Sequence, residues 1–554
     1  MLLPKLVTTL RTYTWQQFAA DLGAGIVVGI VALPLAIAFG IASGVSPERG
    51  LFTAIVAGFI ISALGGSRVQ IGGPTGAFVV IVYGIVQQYG IPGLTIATIM
   101  AGLILIALGL ARLGGAIKFI PYPVVTGFTA GIAVIIFTSQ IKDFLGLAMG
   151  PLPESFLEKW VAYAREAGAV NVAAVGVAAG SLLVISLWPR VSRRVPAPFV
   201  ALVASALVVR LFDLPVETVG SRFGSIPTSL PAPTIPAISL ADATALVGPA
   251  FTIAILAAIE SLLSAVVADG MIGGRHRSNM ELIAQGVANV ASPLFGGIPA
   301  TGAIARTATN VRSGGRTPVA GMIHSVVLLL ILLVFGRLAE AIPLAALAAI
   351  LVVVAYHMSE WRSFRNELKG PRSDIAVLLT TFILTVLVDL TVAVQVGLVL
   401  AAFLFMKRMS EVTNISEINE NFADPVIESG TFSTNRENPL PHDVQLYAID
   451  GPFFFGAADK FREALGQVDN PPRVLILVMR RVPAIDSTGL NALRNMIHRF
   501  QKSGTRVILV GPRAQPRGAM ERAGLIDDIG RDAVVPDLDS ALALAEAVRP
   551  APSH

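Results

Sequence analysis

Long apolar runs, not alternation or an amphipathic stripe, set the pattern over the first three quarters of this chain. They fall near residues 22–44, 51–66, 74–89, 92–112, 123–140, 170–188, 196–212, 246–269, 281–295, 300–311, 318–336, 338–357, 374–389 and 391–408, about fourteen in all. Several approach or exceed the roughly 18 to 20 residues that cross a hydrocarbon core, so the pattern predicts a polytopic α-helical membrane protein. After Lys407-Arg408 the pattern changes. Residues 411–441 read as linker and loop, and beyond them strands near 444–449, 474–478 and 507–510 alternate with helices near 460–468, 487–501, 515–523 and 538–548. The expected organisation is a transmembrane domain over 1–410, the linker, and a soluble α/β domain with a partly parallel sheet over 442–554.

Two of the apolar runs open on nearly the same stretch. Residues 72–78 read GGPTGAF and residues 296–304 read GGIPATGAI. Each follows a run that stops early and opens one too short to cross a bilayer comfortably. Gly and Pro alone would also serve close helix packing or kinks. The recurrence of GG, Pro and TGA in both halves points instead to a pair of interrupted helices, because unwound backbone is tolerated at membrane depth only where protein or a water-filled cavity receives it. A helix beginning at Thr75 or Ala300 turns its free N–H groups and positive dipole end toward the membrane centre, and two such ends face to face suit an anion. Fourteen spans divide as seven plus seven, with the breaks at the third and the tenth; an odd number per half inverts the second half and allows the ends to meet head to head. Gly25-x-x-x-Gly29, Gly127-x-x-x-Gly131 and Gly176-x-x-x-Gly180 are expected to be packing surfaces.

Composition sharpens this. The 554 residues are 54% hydrophobic and 14% charged, with a mean hydropathy of +0.72, too little charge to cover a soluble protein of this size. There is no cysteine, hence no disulfide or thiolate chemistry, and the six histidines show no metal-ligand spacing. No cofactor is expected. The net charge of +5 sits mostly in short loops, where it sets topology and does not call for nucleic acid. The basic loops contain Arg68; Arg112 and Lys118; Arg190, Arg193 and Arg194; Arg275 and Arg277; Arg312 and Arg316; and Arg362, Arg365, Lys369 and Arg372. All fall on one side, which predicts both termini in the cytoplasm and the first span retained as an anchor in a cell inner membrane. Residues 142–169 are a mixed-charge exception that reads as an amphipathic surface helix.

Ionisable groups inside spans are costly and therefore candidates for function. Glu260, in IAILAAIESLLSAVVADG, is the foremost, with Ser264 one turn later on the same face. It suits a coupling-ion role, or a buried acid paired only for structure. Arg306, six residues past Ala300, is placed to supply positive charge to the anion cavity or to Glu260, or to extend to the surface. Asp269, Glu340 and Asp389 fall at span ends and read as interfacial. In the soluble part, IDSTGL at 485–490 opens a helix whose apolar face carries Leu490, Leu493, Ile497 and Phe500, so Asp486 or Ser487 is an N-cap, with a phosphorylation or nucleotide-responsive loop as the other reading. No nucleophile, base or metal constellation supports enzyme chemistry.

Taken together, the two Gly/Pro breaks, the acid in the eighth span and the C-terminal IDSTGL segment resemble a bacterial sulfate permease anion transporter with a STAS domain similar to anti-sigma factor antagonists. The resemblance covers nearly the whole chain. It implies the seven-plus-seven inverted repeat shared with uracil permeases, a mobile core against a gate domain, and a homodimer. It also implies a substrate site at Leu35 and Phe39 of the first span, Thr75, Gly76, Ala77 and Phe78 of the third, and Ala300, Thr301, Gly302, Ala303, Ala305 and Arg306 of the tenth. Leu35 stands where many relatives have Gln. Glu260 and Ser264, with Ala300 and Thr301, occupy positions resembling the sodium site of bicarbonate-carrying relatives, where the acid is Asp; the longer Glu favours protons. In the antagonist relatives the phosphorylated residue corresponds to Thr488, preceded by Ser487, implying a cytoplasmic regulator. The expectation is a secondary active transporter of small anions coupled to protons, with sodium-coupled bicarbonate symport or a membrane-anchored signalling protein as alternatives; nucleobase uptake is disfavoured, because the second break offers mainly backbone and Arg306 where base edges would need side chains.

Overall fold

The computed structural model describes residues 2–115, 120–150, 152–153, 155–192, 195–234, 240–417, 443–466 and 471–547. Lys118, Arg193, Arg194, Val548 and most of the expected linker lie outside the described residues. The chain divides into two compact units, Met1–Ala401 and Ala402–His554.

In the first unit the expected apolar segments are helical over most of their length, with 300–303 excepted. The principal helices are α1 (Trp15–Ala42), α2 (Pro47–Leu64), α3 (Gly76–Leu110), α4 (Tyr122–Leu145), α5 (Val172–Val191), α6 (Ala197–Leu211), α7 (Val247–Ile272), α8 (Ser278–Leu294), α9 (Ile304–Arg312), α10 (Pro318–Phe335), α11 (Leu344–Met358), α12 (Arg372–Leu387) and α13 (Leu390–Val412). Among the described residues nine helices are long and apolar enough to cross a membrane. The runs 74–89 and 92–112 share α3, which breaks at Gly90, φ 66°, two residues before Pro92. That φ suits glycine, and the proline cannot donate back into the preceding turn. Local sequence explains several starts. Thr14 and Gln17 exchange hydrogen bonds in a capping box that opens α1, and the Asn171 side chain accepts from Ala173 and Ala174 N–H to open α5. Of the stretch 142–169, Phe156–Arg165 forms the short helix.

Packing follows small residues. Helices α1 to α3 pack with α7 to α10, while α4 packs with α11 and α12, and α5 with α6 and α11. Gly25 and Gly29 lie against Ala320, Ile323 and Val327 of α10, and Gly127 and Gly131 against Leu378, Thr381 and Thr385 of α12. Gly102 and Gly286 meet backbone to backbone where α3 crosses α8. Gly176 and Gly180 depart from expectation: a Cβ on either meets nothing within 4 Å, because α5 buries a different face, carrying Ala174, Val177, Ala178 and Ser181.

The two interruptions are joined. Strands β1 (Gly72–Gly73) and β2 (Thr301–Gly302) pair antiparallel, Gly72 with Gly302 and Gly73 with Thr301. Gly73 has φ 145°, in the region that favours glycine.

The second unit holds a five-stranded sheet in the order β3 (Asn414–Glu417), β4 (Val444–Asp450), β5 (Val474–Arg481), β6 (Arg506–Val510) and β7 (Val534–Val535), with β3 antiparallel to β4 and the rest parallel. Residues 414–417 thus correct the expected linker. Their four polar and apolar positions carry no strand pattern, and pairing with β4 supplies the order. Helices α14 (Phe455–Gly466), α15 (Ser487–Lys502), α16 (Ala514–Arg522) and α17 (Leu525–Ile529) contribute to one apolar core, with Phe461, Leu493, Ile497, Phe500 and Met520 buried; α18 (Leu538–Ala547) contributes Ala541 and Ala545 to the other.

Candidate functional site

Each break is built by a different device. At the first, Thr75 caps α3 in an extended conformation, and its buried Oγ1 has no hydrogen-bond partner among the described residues. Gly76, Ala77 and Phe78 follow, all buried. Gly76 lies so close to Met358 of α11 and Ile136 of α4 that a Cβ would stand 2.6 Å from the Met358 sulfur. Any side chain at Gly76 displaces its neighbours before it meets a ligand.

At the second break the half-helix starts later than expected. Ala300 is not helical: its N–H donates to Asn289 Oδ1 (2.9 Å) and its carbonyl accepts from Asn289 Nδ2 (2.8 Å). Thr301 Oγ1 donates to the Ala257 carbonyl (3.1 Å), Gly302 sits in β2, and Ala303 N–H donates to the Ile71 carbonyl (2.8 Å). The strand takes up the backbone groups assigned to a helix start, so α9 begins at Ile304. Its first N–H groups belong to the exposed Ile304 and Ala305.

Among the described residues Arg306 neither extends to the surface nor pairs with Glu260. Its side chain, on a residue 2% exposed, reaches back under the first break and donates to the carbonyls of Gly72 (3.5 Å) and Pro74. Among the described residues no carboxylate forms an ion pair with it. A buried guanidinium therefore lies at the junction of β1, β2 and the start of α9.

Helix α7 runs beside this junction. Ala257 and Ser264 mark the face turned to it, through the Thr301 hydrogen bond and a 3.5 Å contact between Ser264 Oγ and Thr307 Oγ1. Glu260 lies between them on the same face, half-buried, and no hydrogen bond or ion pair reaches its carboxylate among the described residues. Helix α1, with half-buried Leu35 and buried Phe39, packs against both α3 and α9. A cavity of about 730 Å³ lies toward the face where α1 ends and is lined by Tyr83, Gln140, Lys142, Lys159 and Arg222 among others; it borders α3 from Val79 to Gln87, and its lining includes none of the helix-end residues.

Sequence reasoning missed a polar stripe on α8. Glu281, Gln285 and Asn289 recur every four residues and are fully buried. Glu281 accepts from Gly66 N–H (2.8 Å), Ser67 N–H (3.1 Å) and Gln285 Nε2 (2.9 Å), while Asn289 holds Ala300. The spacing within an apolar run was the available signal. Asp21, buried at the start of α1, accepts from Tyr13 Oη and from Arg316 and Thr317 N–H, and was likewise passed over. In the second unit, Asp486 is the N-cap of α15, accepting from Gly489 N–H (2.7 Å), with Ser487 and Thr488 exposed beside it.

A helical membrane unit whose two halves meet through paired breaks has the architecture of a secondary carrier. The chain belongs to the sulfate permease family: that family's profile matches residues 18–381, and the STAS domain profile matches residues 436–541. The "Putative sulfate transporter YvdB" of Bacillus subtilis is 46% identical over 523 residues, 94% of this chain and 96% of that protein. The bicarbonate transporter BicA of Picosynechococcus is 30% identical over 95% of this chain and 94% of its own. The structure of murine Solute Carrier 26 family member A9, titled an anion transporter in the inward-facing state, superposes with a TM-score of 0.87 over 99% of this chain and 94% of that one at 20% identity, a likeness of fold.

Proposed function

We propose that the transmembrane unit is a secondary active transporter of small anions, sulfate-like, dicarboxylate or bicarbonate, which bind between the starts of α3 and α9 and cross by alternating access. The observation that carries this reading is Arg306: a buried cation with no carboxylate partner among the described residues, set where two helix N-termini converge. A charge so placed is costly unless a counter-ion arrives, and a bound anion is that counter-ion. Thr75 Oγ1, unpartnered and buried, is available as a donor. Transporters of sulfate and bicarbonate among the relatives support the substrate class. The reading places both termini in the cytoplasm of an inner membrane, with a homodimeric assembly, and leaves Ser487 and Thr488 as the exposed regulatory loop of the STAS domain.

Ala305 gives the cleanest test, because its side chain is exposed and a longer one finds room. Ala305→Glu sets a like charge at the mouth of the site. Uptake of labelled sulfate, bicarbonate and succinate by reconstituted vesicles is expected to fall by at least about tenfold, with folding unchanged. Parent-like uptake would take α9 out of the site.

For coupling, we assign the proton to Glu260. A carboxylate without a cationic partner in an apolar helix is least costly when neutral, and a proton entering with an anion reduces the charge moved. Glu260→Gln imitates the protonated state: anion exchange is retained, while acceleration by an inward proton gradient is lost. Sodium gradients leave the parent unaffected. Uptake driven by sodium alone would replace the proton assignment with a sodium one.

A further inference from the structure

Residues 2–13, which precede α1, are not a free tail. Lys5 N–H donates to the Gly65 carbonyl (2.9 Å), Arg277 N–H donates to the Gly66 carbonyl (2.9 Å), and Arg277 Nη1 donates to the carbonyls of Leu3 (2.7 Å) and Pro4 (3.4 Å). The N-terminal segment, the turn after α2 and the turn before α8 are thereby tied into one surface. Arg68 and Arg275 are exposed on it and Lys5 is half-buried, and none of the three has a hydrogen bond or ion pair from its side chain among the described residues. The acids nearby are engaged. Asp269 accepts from His276 N–H (2.8 Å) and lies 2.7 Å from its Nδ1, and Glu281 is held by Gly66, Ser67 and Gln285.

The same segment is apolar on its outer side. Leu2, Val7 and Leu10 are exposed, and Trp15, at the start of α1, is 79% exposed and stacks on Phe18. Because α1 enters the bilayer at Trp15, the preceding turns lie at the membrane interface by connectivity. Exposed leucine, valine and tryptophan next to unneutralised cations are the composition of an interfacial anchor.

We propose that residues 2–11, together with Arg68 and Arg275, form a binding site for the headgroup of an anionic phospholipid of the adjoining leaflet. The headgroup phosphate meets Lys5, Arg68 and Arg275, and the acyl chains lie along Leu2, Val7 and Leu10. The electrostatics agree: burial, then the neighbouring guanidinium groups of Arg277 and Arg68, hold the Lys5 ammonium below the usual lysine range, with Asp269 opposing only in part. An excess of like charge at one spot favours an anion there. Free phosphate offers the charge without the chains, so the exposed apolar row selects the lipid.

Thermal unfolding of the full-length protein in neutral detergent reads the site. Dioctanoyl phosphatidylglycerol, dioctanoyl phosphatidylcholine and inorganic phosphate are titrated in separate arms. The anionic lipid is expected to raise the midpoint saturably, and the other two to leave it unchanged. Arg275→Gln, at an exposed side chain, weakens the apparent affinity about fivefold, and Arg68→Gln/Arg275→Gln about twenty-five-fold, at roughly fivefold per cation. Leu10→Ser, which leaves every charge in place, also weakens the lipid response. Unchanged affinity in Arg275→Gln, or an equal response to inorganic phosphate, overturns the proposal.

Discussion

Replacing Arg306 with glutamine is expected to lower anion uptake by at least about a hundredfold, the loss that follows when one partner of a buried charge pair is removed. Glutamine retains a donor for Gly72 or Pro74, so the paired breaks stay closed and the defect is one of binding. Arg306→Lys separates charge from bracing. Lysine keeps the cation but lacks the planar fork that holds two carbonyls, and uptake is expected to fall only about tenfold, near the worth of one charge-assisted hydrogen bond of roughly 1.5 kcal/mol. Equal losses in both variants would show that Arg306 serves only to brace β1. Transport near the parent level in Arg306→Gln would remove the positive charge from the anion site altogether.

The second large effect concerns assembly. Gly50 of α2 meets α1 so closely that a Cβ would lie 1.9 Å from the Ala36 carbonyl oxygen, and backbone cannot rotate away as a side chain can. Gly50→Ala therefore forces α1 and α2 apart. The expected cost is about 3 kcal/mol or more, at the upper end of overpacking in a filled core, seen as loss of monodisperse protein after solubilisation. Gly23→Ala, on the same pair of helices but with nothing within 4 Å of the added methyl, should be neutral. If both variants purify alike, the α1–α2 crossing is looser than these positions imply.

The apolar runs made the helices legible because length and hydropathy are read directly from composition, and the breaks were legible because Gly, Pro and Thr recur in both halves. What the runs did not reveal was where N–H groups would be used. Ala300 is taken by Asn289, eleven residues earlier, and Ala303 by Ile71, in the other half of the repeat. Neither partner is visible from local pattern, so the start of α9 moved to Ile304. Arg306 illustrates the same limit: its destination is set by the carbonyls that β1 leaves inward, which exist only once the halves meet. Glu281, Gln285 and Asn289 differ, since their four-residue spacing was present in the sequence and was hidden by the apolar residues around them. Short β3 and β7 went unseen because strands of four and two residues take their order from neighbours, not from their own pattern.

The pairing of Gly72 with Gly302 and Gly73 with Thr301 bears on which genetic changes the chain can survive. Each strand residue advances the backbone by about 3.3 Å and turns successive side chains to opposite faces. Inserting or deleting one residue in 72–75 or 301–303 would slide one helix end past the other by that distance and carry the Thr301 hydroxyl away from Ala257. Single-residue replacements leave this register intact. The segment is thus held to a fixed length more strictly than to fixed letters: substitutions can accumulate there, while the count of residues that sets the pairing between the halves stays constant.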